Sequence, residues 1–183
     1  KEEIDEKDER LIKYLIDHRH TSTLEHCVAT FRVKAPLFVR SQHHRHRTWA
    51  YNEISRRYTE INLEFYEPKK FRKQSDSNRQ DLSDIAARAS DILKEHHDAS
   101  LYIYSKLLEA GVCREQARGA LPQNMYTEYY ATANLNNILK FIDLRTHSGA
   151  QWEIQQLANG ILDIVSKIYP ITVRHYKKRK KEM

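Results

Sequence analysis

The sequence predicts an α+β fold with few strands and long helices. Two stretches rich in β-branched and aromatic residues, 28–33 and 126–133, read as strands, while four longer stretches repeat apolar residues at helical spacing. Glycine and proline contribute only four residues each to a chain of 183, and no internal repeat is present.

Leu11, Ile12, Leu15 and Ile16 share one face of a helix over 7–18. Ser22-Thr23-Leu24-Glu25 has the spacing of a capping box and predicts a second, short helical start. Val28 to Val33 is the first strand. Pro36 suits the first turn of a helix that turns Leu37 and Phe38 inward and places Gln42 to Arg47 at its end. Thr48 to Phe65, rich in Tyr, Ile and Thr, is expected to be extended, and the polar stretch Glu67 to Arg79 to be a loop. A long helix is then predicted over Asp81–Ala110, its stripe running through Leu82, Ile85, Ala89, Ile92, Leu93, Leu101, Tyr104, Leu107 and Leu108. Gly111 stands where a helix ends in a left-handed residue. A short helix over Arg114–Arg118 leads to Leu121-Pro122 and the strand Tyr126–Ala133. Helices over Leu135–Leu144 and Ala150–Tyr169 follow, the second stopped by Pro170.

The length suits one domain with a hydrophobic core of its own, or at most two small ones. The glycines, at 111, 119, 149 and 160, lie too far apart for a G-x-G-x-x-G, a Walker loop or a G-x-S-x-G elbow. Any nucleotide must be held by side chains and helix ends. Cys27 and Cys113 make neither a C-x-x-C pair nor a disulfide scaffold, which points to a reducing compartment. With a mean hydropathy of −0.79 and no apolar run near the roughly 18 residues of a membrane span, a soluble, cytoplasmic protein is expected.

The net charge of +6 is unevenly spread. Residues 174–183 hold six Lys/Arg against one Glu, a basic tail expected to be a solvated, frayed end, and the rest of the chain is only +1. Within that body, Arg40 to Tyr58 carries five arginines against Glu53, with His43, His44 and His46 among them. Converging guanidinium forks hold phosphate or carboxylate oxygens. Alternation along an extended chain would place Tyr51, Glu53, Ser55 and Arg57 on one side, offering an acceptor, a hydroxyl and a cation to a sugar phosphate. An exposed basic turn closed by structural salt bridges fits the same composition. The arginines beside the first histidine cluster would repel a metal cation, and Glu95-His-His-Asp98, which would suit a metal phosphohydrolase, reads better as a solvated helix face, so no metal site is expected. A nucleic-acid-binding module using segment 40–57 and the tail is the rival reading.

Arg45-His46-Arg47 followed after seven residues by Ser55 resembles the RHR-x7-S signature of the flavin-dependent thymidylate synthases (ThyX). The similarity extends to Lys34-Ala-Pro-Leu-Phe-Val before it and Tyr51-Asn-Glu-Ile-Ser-Arg-Arg-Tyr58 after it. It continues through Gly111-Val-Cys-Arg-Glu-Gln-Ala-Arg118, Leu121-Pro-Gln-Asn124, Leu144-Arg145 and Ala150-Gln-Trp-Glu-Ile-Gln155, in the family's order over nearly the whole chain.

The resemblance implies the family's own α+β fold, a small antiparallel sheet flanked by long helices, in a homotetramer whose active sites are shared between subunits. It implies reductive methylation of dUMP to dTMP, with methylenetetrahydrofolate as carbon donor and FAD reduced by NADPH as hydride source. Carried over by motif, Gln42, Arg45, Glu53, Ser55, Arg57, Arg118 and Arg145 would hold dUMP. Arg145 would favour the ionised uracil, and Ser55 would be a binding hydroxyl at the catalytic centre, since no base is evident beside it. Arg45, His46, Arg47 and Glu53 would also touch FAD, with Ser22, Asn134, His20 and Glu25. No catalytic cysteine is demanded, and Cys27 and Cys113 are expected to pack. The chain departs from the family pattern at Ser41, Asn136, Lys140 and Gly149. Residues 1–173 would form one domain, ahead of the tail, and a family strand region is expected before residue 1.

Overall fold

A computed structural model describes residues 3–59, 63–74, 80–81 and 87–181. The first helix, α1 (Glu6–Asp17), starts one residue earlier than expected because Asp5 caps it, accepting from the Lys7 and Asp8 amides, while the Asp8 carboxylate bonds the Asp5 amide at 3.1 Å. Of its expected apolar face, Ile16 is buried and Leu11 is exposed. The capping box at Ser22 does not form. Thr21–His26 is a 3-10 turn whose cap position is His20, and the local side-chain bond runs instead from the Thr23 hydroxyl to the His20 carbonyl at 3.0 Å.

Strand β1 (Val28–Pro36) buries Phe31, Val33 and Ala35 in alternation. Pro36 closes the strand rather than opening the helix, and α2 (Leu37–His43) follows with Val39 buried and Leu37 and Phe38 half-buried. The expected extended run shortens to β2 (Ala50–Glu53). The chain turns at residues 56–58, where the Tyr58 amide bonds the Ser55 carbonyl at 3.2 Å, and it meets the sheet again at a bridge between Phe65 and Met125. Inside the expected loop, β3 (Lys73–Gln74) pairs antiparallel with β4 (Gln80–Asp81).

That pairing takes Asp81 out of the predicted long helix. Helix α3 spans Ala87–Glu109, and Leu82 and Ile85 lie outside the described residues. Ile92 is exposed, against expectation, whereas Tyr104 is buried with Ala117, Leu121 and Met125, packed by Leu101, Leu107 and Leu108. Gly111 ends the helix at φ +86, its amide on the Leu108 carbonyl, as a left-handed C-terminal glycine does. After α4 (Arg114–Ala117), strand β5 (Tyr126–Asn134) buries Thr127, Tyr129, Ala131 and Ala133. The main sheet has the order β1-β5-β2.

Helix α5 (Leu135–Arg145) is capped by Asn134, whose side-chain oxygen accepts the Asn137 amide at 3.0 Å, and it buries Leu135, Ile138, Leu139, Phe141 and Ile142. Helix α6 (Trp152–Ile168) buries Ile154, Ala158, Ile161 and Val165. Pro170 does not only stop α6. It starts α7 (Pro170–Lys181), since a fixed φ and a missing N–H cost nothing in a first turn. The basic tail is therefore helical to its last described residues rather than frayed. Glu9 of α1 accepts from Arg174 at 2.6 Å and lies 2.9 Å from His175, and both hold its carboxyl below the usual range, His175 most. Lys180 and Tyr176 bind Asp143 of α5, Lys180 at 2.6 Å.

The chain divides into two compact units, one of residues 1–31, 46–50 and 131–183, the other of residues 32–45 and 51–130, and each is described by itself. Among the described residues no helix is long and apolar enough to cross a membrane.

Candidate functional site

In the unit of residues 32–45 and 51–130, backbone bonds bring three segments to one cleft. The Leu37 and Phe38 amides bond the Met125 and Gln123 carbonyls at 3.0 and 3.1 Å, and the Ile54 amide bonds the Glu128 carbonyl at 3.0 Å. The cleft holds about 1030 Å³ of space open to solvent and is lined by Arg40, Glu53, Ser55, Arg56, Arg118, Gln123 and Thr127, among others. Three arginines against one carboxylate leave it cationic. Its charges are ordered: Glu53 Oε1 accepts from Arg40 Nε at 3.2 Å and from the Thr127 hydroxyl at 2.7 Å, and Arg118 Nε donates to the Glu115 carbonyl at 3.2 Å.

Of the sequence-predicted dUMP residues, Glu53, Ser55 and Arg118 line this cleft. Arg57 does not. Because β2 ends at Glu53, alternation stops before it reaches Arg57, and Arg56 lines the cleft while Arg57 pairs with Glu115 at 3.2 Å. Ser55 Oγ accepts the Arg57 amide at 3.3 Å, and among the described residues neither a histidine nor a carboxylate bonds it, which suits a binding hydroxyl. Gln42 is half-buried on α2 and does not line the cleft. Arg40, Arg56 and Thr127 were missed by motif reading. Thr127 carried a usable signal, for it shares the buried face of β5 with Tyr129 at strand spacing. Arg40 carried a weaker one, three residues after Leu37 on a helix.

The histidine pair beside this cleft is packed against tyrosines. His43 is buried, its Nδ1 2.9 Å from the Tyr129 hydroxyl, and the Tyr51 hydroxyl donates to the His43 carbonyl at 2.8 Å. The His44 ring lies tilted against Tyr51, centroids 4.0 Å apart. Burial first, then the Arg40 guanidinium, holds the His44 imidazole below its ordinary pKa, with Glu53 opposing. Burial likewise pushes the Tyr51 and Tyr129 phenols upward, so both stay neutral donors. In the Glu95–Asp98 run, Glu95, His96 and Asp98 are exposed, as a solvated face requires, whereas His97 is buried, stacked on Phe65 at 4.5 Å, with Nε2 2.6 Å from the Asn124 amide. Among the described residues no group of three or more His, Cys, Asp or Glu could hold a metal ion. Cys27 is half-buried as expected, but Cys113 is exposed at the start of α4.

The other unit holds Arg145 and His46. Arg145 ends α5 and donates from Nε to His46 Nε2 at 3.1 Å. That bond makes Nε2 the acceptor and leaves the ring proton on Nδ1. The His46 ring stands edge-on to Phe141 at 4.9 Å, and Phe141 in turn packs against Trp49 at 5.5 Å, with Phe31 beyond at 6.1 Å from Trp49. Burial, reinforced by the Arg145 charge, holds His46 below its ordinary pKa, so the imidazole is neutral beside a charged guanidinium. Burial also lowers the Arg145 pKa, without bringing it near neutrality.

The expected flavin residues of this unit are accessible. His20, Ser22 and Glu25 are exposed, with Glu25 accepting from Asn136 at 3.2 Å, and Arg47 is exposed beside half-buried His46. Arg45, in the other unit, is exposed as well, and Glu53 is half-buried there. Among the described residues no hydrogen bond or ion pair engages the Arg45 or Arg47 guanidinium, so each fork stays open for phosphate oxygens. Either fork fits the diphosphate oxygens of a flavin dinucleotide. Asn134 caps α5 with the side chain that would reach the flavin, Asn136 is buried, and Lys140 is exposed.

Over residues 1–171 the sequence matches the family described as "Thymidylate synthase complementing protein". This chain belongs to that family. Among its relatives is a flavin-dependent thymidylate synthase of Thermosipho africanus, 43% identical over 178 residues, covering 94% of this chain and 78% of the relative. Another, from Thermus thermophilus, is 47% identical over 169 residues, 90% of this chain but only 62% of the relative. The fold is similar to the crystal structure of a UMP/dUMP methylase from Streptomyces cacaoi bound with 5-Br dUMP, with a TM-score of 0.88 and 31% identity over 97% of this chain and 82% of that one. The α+β class and the small antiparallel sheet expected from the sequence agree with this likeness.

Proposed function

We propose that this chain is a flavin-dependent thymidylate synthase, converting dUMP to dTMP with methylenetetrahydrofolate as carbon donor and NADPH as reductant. The observation that supports it most is the cationic cleft in which Arg40, Arg56 and Arg118 surround Glu53 and Ser55, a donor and acceptor set suited to a sugar phosphate, in a chain whose relatives carry that activity by name. Replacing the hydrogen on uracil carbon 5 by a methyl group consumes the one-carbon unit of the folate and two electrons from NADPH. FAD, when bound, supplies the redox chemistry that carries those electrons.

The protein's part is binding, orientation and charge. Arg118 and Ser55 hold dUMP within the cleft, where Glu53 accepts from its donors, and Gln42, Arg45 and Arg57, which do not line the cleft, reach the ligand from its surroundings. Arg145 stabilises the negative charge that develops on the uracil ring. A guanidinium fixed by its Nε against a neutral imidazole is already in place for that purpose and needs little reorganisation when the anion forms. Arg45, His46, Arg47, Glu53, Asn134, Ser22, His20 and Glu25 form the flavin side. The assembly is a homotetramer with active sites shared between subunits, working in the cytoplasm.

The nucleic-acid reading gains less from α7 than its charge suggests, because Arg174 and Lys180 are paired with Glu9 and Asp143. The visible absorption spectrum of the purified full-length protein, before and after dUMP, tests the proposal together with an assay for NADPH-dependent dTMP formation. A yellow protein whose spectrum shifts with dUMP and which makes dTMP is the expected result. A protein that takes up no flavin and makes no dTMP overturns it.

A further inference from the structure

We propose that Arg40 is a positioning residue of the nucleotide cleft, acting through Glu53; the inference rests on the reading of that cleft as the dUMP site. Arg40 belongs to no motif that identifies the family, yet it lines the cleft from α2 while Glu53 lines it from the end of β2. The two side chains are 30% and 24% exposed, more withdrawn than the Arg57–Glu115 pair at 44% and 55%. A charge-assisted bond that is partly withdrawn from water fixes geometry better than a surface pair does.

The geometry of the bond defines the role. Arg40 Nε and the Thr127 hydroxyl both donate to the same oxygen, Glu53 Oε1, at 3.2 and 2.7 Å. Two donors on one oxygen set the rotation of the carboxylate and leave Oε2 to accept from a ligand. dUMP offers two donors to such an oxygen, the sugar hydroxyl and the uracil N3–H. Without Arg40, the carboxylate keeps only the Thr127 bond and turns more freely, and the cleft falls from three cations to two. Arg40 also has a neutral neighbour. Its helix delivers His44 against Tyr51, and the neutral state of that imidazole avoids a second positive charge beside the guanidinium.

A structural salt bridge alone would affect melting temperature and leave substrate affinity unchanged, so the readouts are dUMP affinity by titration calorimetry, the separate values of KM and kcat, and Tm. Arg40→Met should weaken dUMP binding and raise its KM about tenfold, with kcat changed less than about threefold. Arg40→Lys should recover part of that loss, because it restores the charge without the Nε geometry. Thr127→Val, which removes the other bond to Oε1, should weaken dUMP by a few-fold and remains informative if Arg40→Met does not fold. In the Arg40→Met/Glu53→Gln double variant the losses should not multiply, because both changes remove one interaction. Losses that multiply, or an Arg40→Met protein with lowered Tm and unaltered KM and affinity, overturn the inference while leaving the synthase reading intact. A wild-type holoenzyme that binds no dUMP overturns the synthase reading, and this inference falls with it.

Discussion

Arginine does two different jobs in the two units of this chain. In the unit of residues 32–45 and 51–130, Arg40 faces the Glu53 carboxylate and Arg57 faces Glu115, so each charge is largely neutralised by its partner. In the other unit, Arg145 is held by the neutral His46 ring, backed by Phe141 and Trp49. A guanidinium paired with a carboxylate orients. One fixed by a neutral ring and half-buried remains a source of positive potential for an anion that appears only during reaction. The contrast predicts that substitutions in the first group act on affinity and substitutions in the second on turnover.

The largest effect is therefore expected at Arg145. Arg145→Ala should lower kcat by about a hundredfold to a thousandfold, the range seen when one preorganised charge-stabilising donor is removed. The flavin should remain bound, and KM for dUMP should change far less than kcat. Steady-state kinetics combined with the flavin absorbance of the purified variant separates these outcomes. Full retention of activity would refute the role, and loss of flavin would show that Arg145 belongs to the paired, orienting group.

This distinction was only partly legible in the sequence. Strands β1 and β5 and helix α5 were readable because burial enforces their periodicity: Phe31, Val33 and Ala35 alternate, and Ile138, Phe141 and Ile142 repeat at helical spacing. Arg145 and His46 were readable as motif members, but their contact joins residues 99 apart in sequence and no local pattern encodes it. Arg56 was hidden for the opposite reason. Alternation assigned one face as far as Arg57, and the turn at 56–58 ended the strand first. Helix α7 was hidden by reading Pro170 only as a stop, although proline is equally at home in a first turn.

A second, intermediate effect concerns pH. The unfolded chain protonates histidine at about pH 6.5, whereas burial and Arg145 keep folded His46 neutral to lower pH. As pH falls through about 6.5 the unfolded state therefore takes up this proton first, and stability declines from there toward the lower folded value. His44 adds in the same direction. His46→Gln should accordingly show a smaller drop in urea midpoint between pH 7.5 and 5.5 than the wild type. An unchanged pH dependence in the variant would mean that His46 is not the neutral partner that the contrast requires.

The smallest effect tests the paired side. Glu115 competes with any ligand for the Arg57 guanidinium, and both side chains are about half exposed, so the pair itself stabilises the fold by at most about 1 kcal/mol. Glu115→Gln should leave Tm nearly unchanged and tighten dUMP binding by a few-fold, because the ligand phosphate then meets an arginine without a carboxylate to displace. The gain should shrink as salt is raised, since screening weakens exposed charge interactions of either kind. Titration calorimetry at two ionic strengths measures both. If affinity instead falls, Glu115 is holding Arg57 in its binding orientation, and Arg57 joins Arg40 as a residue whose carboxylate partner positions it rather than competes for it.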